Sequence, residues 1–234
     1  MDRLTRHDLK SDKFVQEVAH TVGFLEEHKA AITRYGLIAL ALVVVAAGLY
    51  YWNDSRREAR RAALASAQKT FNAVISEQPD PRVTSFRTQE ERQAAIKKEL
   101  GAIISNYGGS EEAAIASYLL GVNAADQGDL DEAVTRLRYA VDKGGKNYSG
   151  LAKIALAEVY AAQDKSAEAE KLLQEVIDKP SVLASKAQAT LVLARLKGRT
   201  NPAEAQTLLE PLRTESGAAS RAALNLMSEL SGNQ

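Results

Sequence analysis

The feature that most constrains this 234-residue chain is a pattern that returns every 36 residues in its second half. Ala133, Ala169 and Ala205 recur at that period, Leu137, Leu173 and Leu209 follow four positions later, and Ala140, Val176 and Leu212 three after that. Steps of four and three keep all three positions on one face of an α-helix. Each such helix is preceded by a second apolar-periodic stretch, around Tyr118–Val122, Leu156–Tyr160 and Leu191–Leu196. Polar turns separate the two: Gln127-Gly128-Asp129, Asp164-Lys165-Ser166 and Gly198 to Pro202. Small alanines let paired helices approach, and the leucines fill the groove between them. A single hairpin cannot bury such a stripe, so the units must stack into a solenoid.

Residues 54–109 read as one less regular hairpin, Arg57–Ser76 and Thr88–Tyr107, interrupted by Glu77-Gln78-Pro79-Asp80-Pro81. Gly217 to Leu230 is amphipathic through Ala223, Leu226, Met227 and Leu230, and it suits the capping helix that a solenoid needs. Residues 110–234 are thus expected to hold three hairpins and a cap. The scarcity of Gly (14) and Pro (5) agrees, because both oppose helix.

The second constraint is a charge-free run of nineteen residues, Tyr35 to Asn53. As a helix it spans about 30 Å, the thickness of a bilayer's hydrocarbon. Tyr35 at one end and Tyr50, Tyr51 and Trp52 at the other form aromatic belts, with Arg34, Arg56 and Arg57 beyond them. The charged flanks and the apolar character of every face distinguish the run from a core helix. A cleaved signal sequence would place small residues where Tyr50-Tyr51-Trp52 stands. If this helix continues into the first repeat helix, it runs unbroken to about Ser76. Lys29 and Arg34 precede the run, whereas Arg56, Arg57, Arg60, Arg61 and Lys69 follow it. Charge alone therefore puts the large domain in the cytoplasm, although that rule weakens for long translocated domains. The tail, 1–34, carries Phe14, Val18, Val22 and Leu25 on one helical stripe.

The repeats resemble the tetratricopeptide repeat (TPR). Leu120, Gly121, Ala133, Leu137 and Ala140 carry the likeness in the first unit. Leu156, Ala157, Tyr160, Ala169, Leu173 and Pro180 carry it in the second, and Leu196, Ala205, Leu209 and Leu212 in the third. The period is 36 instead of the usual 34, and the pattern's Trp and Phe are missing. With the polar tail and single span ahead of them, the hairpins resemble the YfgM-like family of ancillary SecYEG translocon subunits. That resemblance implies a bacterial inner-membrane protein with a cytoplasmic N-terminus and periplasmic repeats. Its implied partners are Sec translocon subunits, periplasmic chaperones or nascent secreted chains, besides the lipid bilayer. A structural assembly factor of another cell-envelope complex is the alternative.

No constellation for catalysis, cofactor or metal is apparent. His7, His20 and His28 all precede the apolar run, and His20 and His28 are eight apart, too far for an i, i+4 metal pair. There is no cysteine. Gly144-Gly145-Lys146 lacks the spacing of a phosphate loop, and Asp126, Asp129 and Asp131 that of an EF-hand. Lys+Arg and Asp+Glu balance at 30 each, so no net field points to nucleic acid. Arg56, Arg57, Arg60 and Arg61 lie beside the span, with no interleaved stacking aromatics, and suit lipid headgroups better. No small-molecule substrate is indicated.

The expected fold is all-α: a single transmembrane helix at residues 35–53, then a TPR-like hairpin solenoid. In TPR domains the first helix of each hairpin lines a groove. Carried onto this chain, that implies Tyr118, Val122 and Ala125, then Leu151, Ile154 and Glu158, then Thr190 and Ala194 as protein-binding residues. The set lacks the Lys/Asn/Arg group with which some TPR domains clamp a terminal carboxylate.

Overall fold

The computed structural model describes residues 29–76, 84–215 and 217–232. The chain divides into two compact units, Met1–Glu58 and Ala59–Gln234. The tail's expected stripe and the three histidines lie outside the described residues, as does the break at Glu77–Pro81.

Helix α1, Lys29–Phe71, contains the whole apolar run. Among its described positions in the first unit, Leu37, Ile38, Leu40, Leu42, Val44 and Leu49 are exposed. The helix is therefore no core element of this unit. Tyr35, Tyr50, Tyr51 and Trp52 are exposed too. Tyr50 and Tyr51 meet edge to face at 6.0 Å, and the Arg56 guanidinium sits 4.3 Å over the Trp52 ring. Arg34, Arg56 and Arg57 are exposed.

The helix ends at Phe71, five residues before the expected Ser76. Asn72 and Ala73 lead into β1, Val74–Ile75, which pairs in parallel with β2, Ser85–Phe86. Arg92 donates to the Phe71 carbonyl and so closes the helix end from another element. Helix α2, Gln89–Asn106, follows and is capped by Thr88, whose hydroxyl accepts from Glu91 N at 3.2 Å.

Three hairpins come next: α3 (Glu111–Asp126) with α4 (Leu130–Lys143), α5 (Gly145–Ala162) with α6 (Ser166–Asp178), and α7 (Lys186–Gly198) with α8 (Pro202–Arg213). Helix α9, Ala218–Gly232, ends the described chain. Local chemistry places the starts. Ser110 accepts from Ala113 N at 3.1 Å, and Asp129 and Asn201 make the same contact with Glu132 N and Glu204 N. Gly128 turns the first hairpin at φ +79°, and Asp164, 36 residues on, takes φ +60° at the equivalent place.

The repeating positions are the core. Ala133, Ala169 and Ala205, and Leu137, Leu173 and Leu209, are all 0 % exposed. One cluster runs through the first two hairpins into α7 by way of Leu137, Ile154, Leu173 and Leu193. A second joins Leu64 and Ala67 of α1 to Ile96 and Leu100 of α2 and Leu120 of α3. The third closes the stack, with Leu209 and Leu212 of α8 against Ala223 and Leu226 of α9.

Gly144, between α4 and α5, is a steric requirement. A Cβ there would lie 2.5 Å from the Ala140 carbonyl oxygen and 2.9 Å from Ser149 N. Both are backbone atoms and neither can swing aside. Gly144→Ala is expected to cost about 1–3 kcal/mol, the usual range for overpacking. Thermal melting followed by circular dichroism checks this, and an unchanged midpoint would show that the junction opens freely.

Candidate protein-binding site

The first helices of the hairpins, α3, α5 and α7, share an open face with two adjoining hollows. The first lies between α3 and α5, with Val122, Ala125 and Ala155 on its walls and Leu137 beneath. The second lies between α5 and α7, with Ala161, Val192 and Leu196 on its walls and Leu173 beneath. Both include Glu158 and Ala162, so they meet along one face of α5. Their volumes, about 240 and 310 Å³, lie at or below the lower end of small-molecule pockets, roughly 300 Å³. Space of that size, open and mostly apolar, suits side chains of another protein.

Three of the anticipated residues, Val122, Ala125 and Glu158, border these hollows. Tyr118 and Leu151 are half-buried. The Tyr118 ring meets Tyr148 edge to face at 6.4 Å. Burial pushes the Tyr118 phenol above its ordinary range, with smaller contributions from the Glu158 charge and Tyr148.

Ile154, Thr190 and Ala194 are placed in the interior instead. Ile154 belongs to the main core, and Ala194 packs in the cluster of Ala223 and Leu226 from α9. Ala194 is one repeat beyond Glu158, but the capping helix covers the face that stays open on α5. The accessible side of α7 carries Val192 and Arg195, with Arg199 just past its end, spaced three and four apart. These residues, with Asp126, Ala155 and Ala162, were not anticipated. Two arginines four apart, following a valine at the end of a first helix, are the signal that could have found them.

Charge is graded across the face. Asp126 borders the α3–α5 hollow, Glu158 stands between the two, and Arg195 and Arg199 border the α5–α7 hollow. The Glu158 side chain is exposed, but partial burial against the apolar walls raises its carboxyl above the usual carboxylate range, opposed by the positive charge of Arg195. Where this carboxyl titrates, the folded chain binds more protons than the unfolded one, so the group's contribution to stability falls as pH rises. Glu158→Gln removes this contribution, so the variant gains stability relative to wild type as pH rises through the titration of the carboxyl. Urea unfolding at a series of pH values reads the effect. A wild-type advantage that grows with pH instead would mean that the attraction to Arg195 outweighs desolvation.

Among the described residues no group of three or more His, Cys, Asp or Glu side chains could hold a metal ion. Of the four arginines beside the apolar run, Arg60 is occupied by Glu112 at 3.2 Å.

Residues 24–181 match the family model of the tetratricopeptide repeat-like domain, more than half of the chain. The chain belongs to that family. The match takes in the apolar helix and the first two hairpins of this tetratricopeptide repeat-like protein. It stops before α7, although Ala205 and Leu209 keep the same register beyond it. No curated protein and no solved structure matches the chain. Family and fold together give the coarse role, a helical scaffold that binds proteins. One of its helices is long and apolar enough to cross a membrane.

Proposed function

We propose that this tetratricopeptide repeat-like protein is a membrane-anchored accessory of the Sec translocon in a bacterial inner membrane, linking it to periplasmic chaperones. The observation that supports this most is the pairing of two elements in one chain. A helix with a nineteen-residue charge-free run and no buried apolar window stands ahead of a closed repeat stack with an open groove. A soluble adaptor has no use for the first element, since each exposed leucine in water forgoes about 1.5–3 kcal/mol of burial. The aromatic residues at both ends of the run and the Arg56–Trp52 contact suit a headgroup boundary.

The translocon is the reading of the whole-chain order: a polar tail, one span, then alanine-rich hairpins. In this reading the tail is cytoplasmic and the repeats are periplasmic. The arginines after the span oppose it by charge count, but Arg60 is engaged by Glu112, which leaves fewer to hold that flank inside. The groove then faces nascent chains, chaperones or translocon subunits.

Copurification from gently solubilised membranes, with partners identified by mass spectrometry, tests the assignment. Stoichiometric translocon subunits are expected. Subunits of a different envelope complex in their place would favour the alternative, a structural assembly factor.

A further inference from the structure

The two hollows and the charges around them describe the shape of an occupant. Packed helices lie about 8–10 Å apart, so hollows on either side of α5 are separated by roughly that distance. In an α-helix, residues seven apart project from one face about 10.5 Å apart. Same-face residues of an extended strand recur at about 6.6 and 13 Å, which straddles the spacing without meeting it. Of these spacings the helical one lies nearest to that estimate, so a helix suits the two hollows best.

The charges give the occupant a polarity. Asp126 and Glu158 form no ion pair among the described residues. Arg195 has no ion pair within 4 Å among them, although its charge acts on Glu158 across the α5–α7 hollow, and Arg199 has only Asp164, at 3.8 Å, with both side chains largely in water. Such an exposed pair is worth little and exchanges readily for another carboxylate. The face is thus acidic toward α3 and basic toward α7, over an apolar floor made by Leu137 and Leu173.

Resting on the scaffold reading above, we propose that the groove takes an amphipathic α-helix of a partner protein. Two bulky apolar side chains seven residues apart fill the hollows. A basic residue of the partner meets Asp126 and Glu158, and an acidic one meets Arg195 and Arg199. This mode uses the apolar face for affinity and the charge gradient for selection.

The test uses the full chain in detergent micelles and dye-labelled, alanine-based helical peptides with leucines seven residues apart. One peptide carries Lys beside one leucine and Glu beside the other, a second carries two Lys, and a third two Glu. Fluorescence anisotropy is expected to show the mixed peptide binding roughly three- to tenfold more tightly than either single-sign peptide, the range for a few exposed ion pairs. In the double variant Arg195→Glu, Arg199→Glu the preference passes to the two-Lys peptide. Both positions are exposed, so that variant keeps the fold, which circular dichroism verifies. A proline at the centre of the mixed peptide removes binding.

Equal affinity for the three charge patterns overturns the proposed polarity, and equal binding of the proline-broken peptide overturns the helical occupant. If no peptide binds while translocon or other partners still copurify, the groove proposal fails and the scaffold reading stands. Failure of both would remove the scaffold reading as well.

Discussion

Leu137→Ala is expected to lower the stability of the repeat unit by about 3–5 kcal/mol, the range for leucines emptied from a tight core. Leu137 is fully buried, lies in the main core cluster and floors the first hollow. Its helix, α4, stands between α3 and α5, so the cavity weakens both joints of the stack. In a solenoid each unit is held only by its neighbours, and no distant contact compensates. A small domain has about 5–15 kcal/mol in total, so the loss is a large share. Thermal unfolding of the full chain in micelles, followed by helical circular dichroism, measures it. Leu224→Ala, a half-exposed leucine on α9, is the control and should cost under about 0.5 kcal/mol. Equal effects at the two positions would mean that the 36-residue pattern does not mark the core.

The second large effect concerns the apolar run. Val44 is at its midpoint, and Val44→Arg adds about 2.5–3.5 kcal/mol to the cost of membrane insertion. The leucines, isoleucine and valines from Leu37 to Leu49 contribute only about 0.3–0.6 kcal/mol each in its favour. One central arginine therefore cancels most of the drive. The chain is expected to leave the carbonate-resistant membrane fraction, whereas Val44→Leu stays. Retention of the arginine variant would mean that the helix is not held by the bilayer.

The second helices of the hairpins were legible because their pattern is nearly pure packing. Ala133 and Leu137 recur at Ala169 and Leu173 and again at Ala205 and Leu209, and all six places are fully buried. Caps were legible for the same local reason, as Ser110 shows. The open stripe was legible on α3 and in part on α5, but not on α7. Ala194 looks like its counterpart Glu158 in register, yet α9, more than twenty residues downstream, decides that it is buried. The end of α1 was missed similarly. Arg92 closes it from 21 positions away, and a two-residue strand has no periodicity to read. Local rules expose what neighbours in sequence determine, and the groove is largely determined by neighbours in space.

Whether the apolar helix holds the repeat domain beyond a membrane is tested most directly by a topology reporter. Alkaline phosphatase, active only outside the cytoplasm, and a fluorescent protein that folds in the cytoplasm are each fused after Gln234. Strong phosphatase activity and a dark fluorescent fusion are expected of periplasmic repeats. A bright fluorescent fusion with inactive phosphatase would contradict that location, placing the repeats in the cytoplasm where the arginines following the span would hold them.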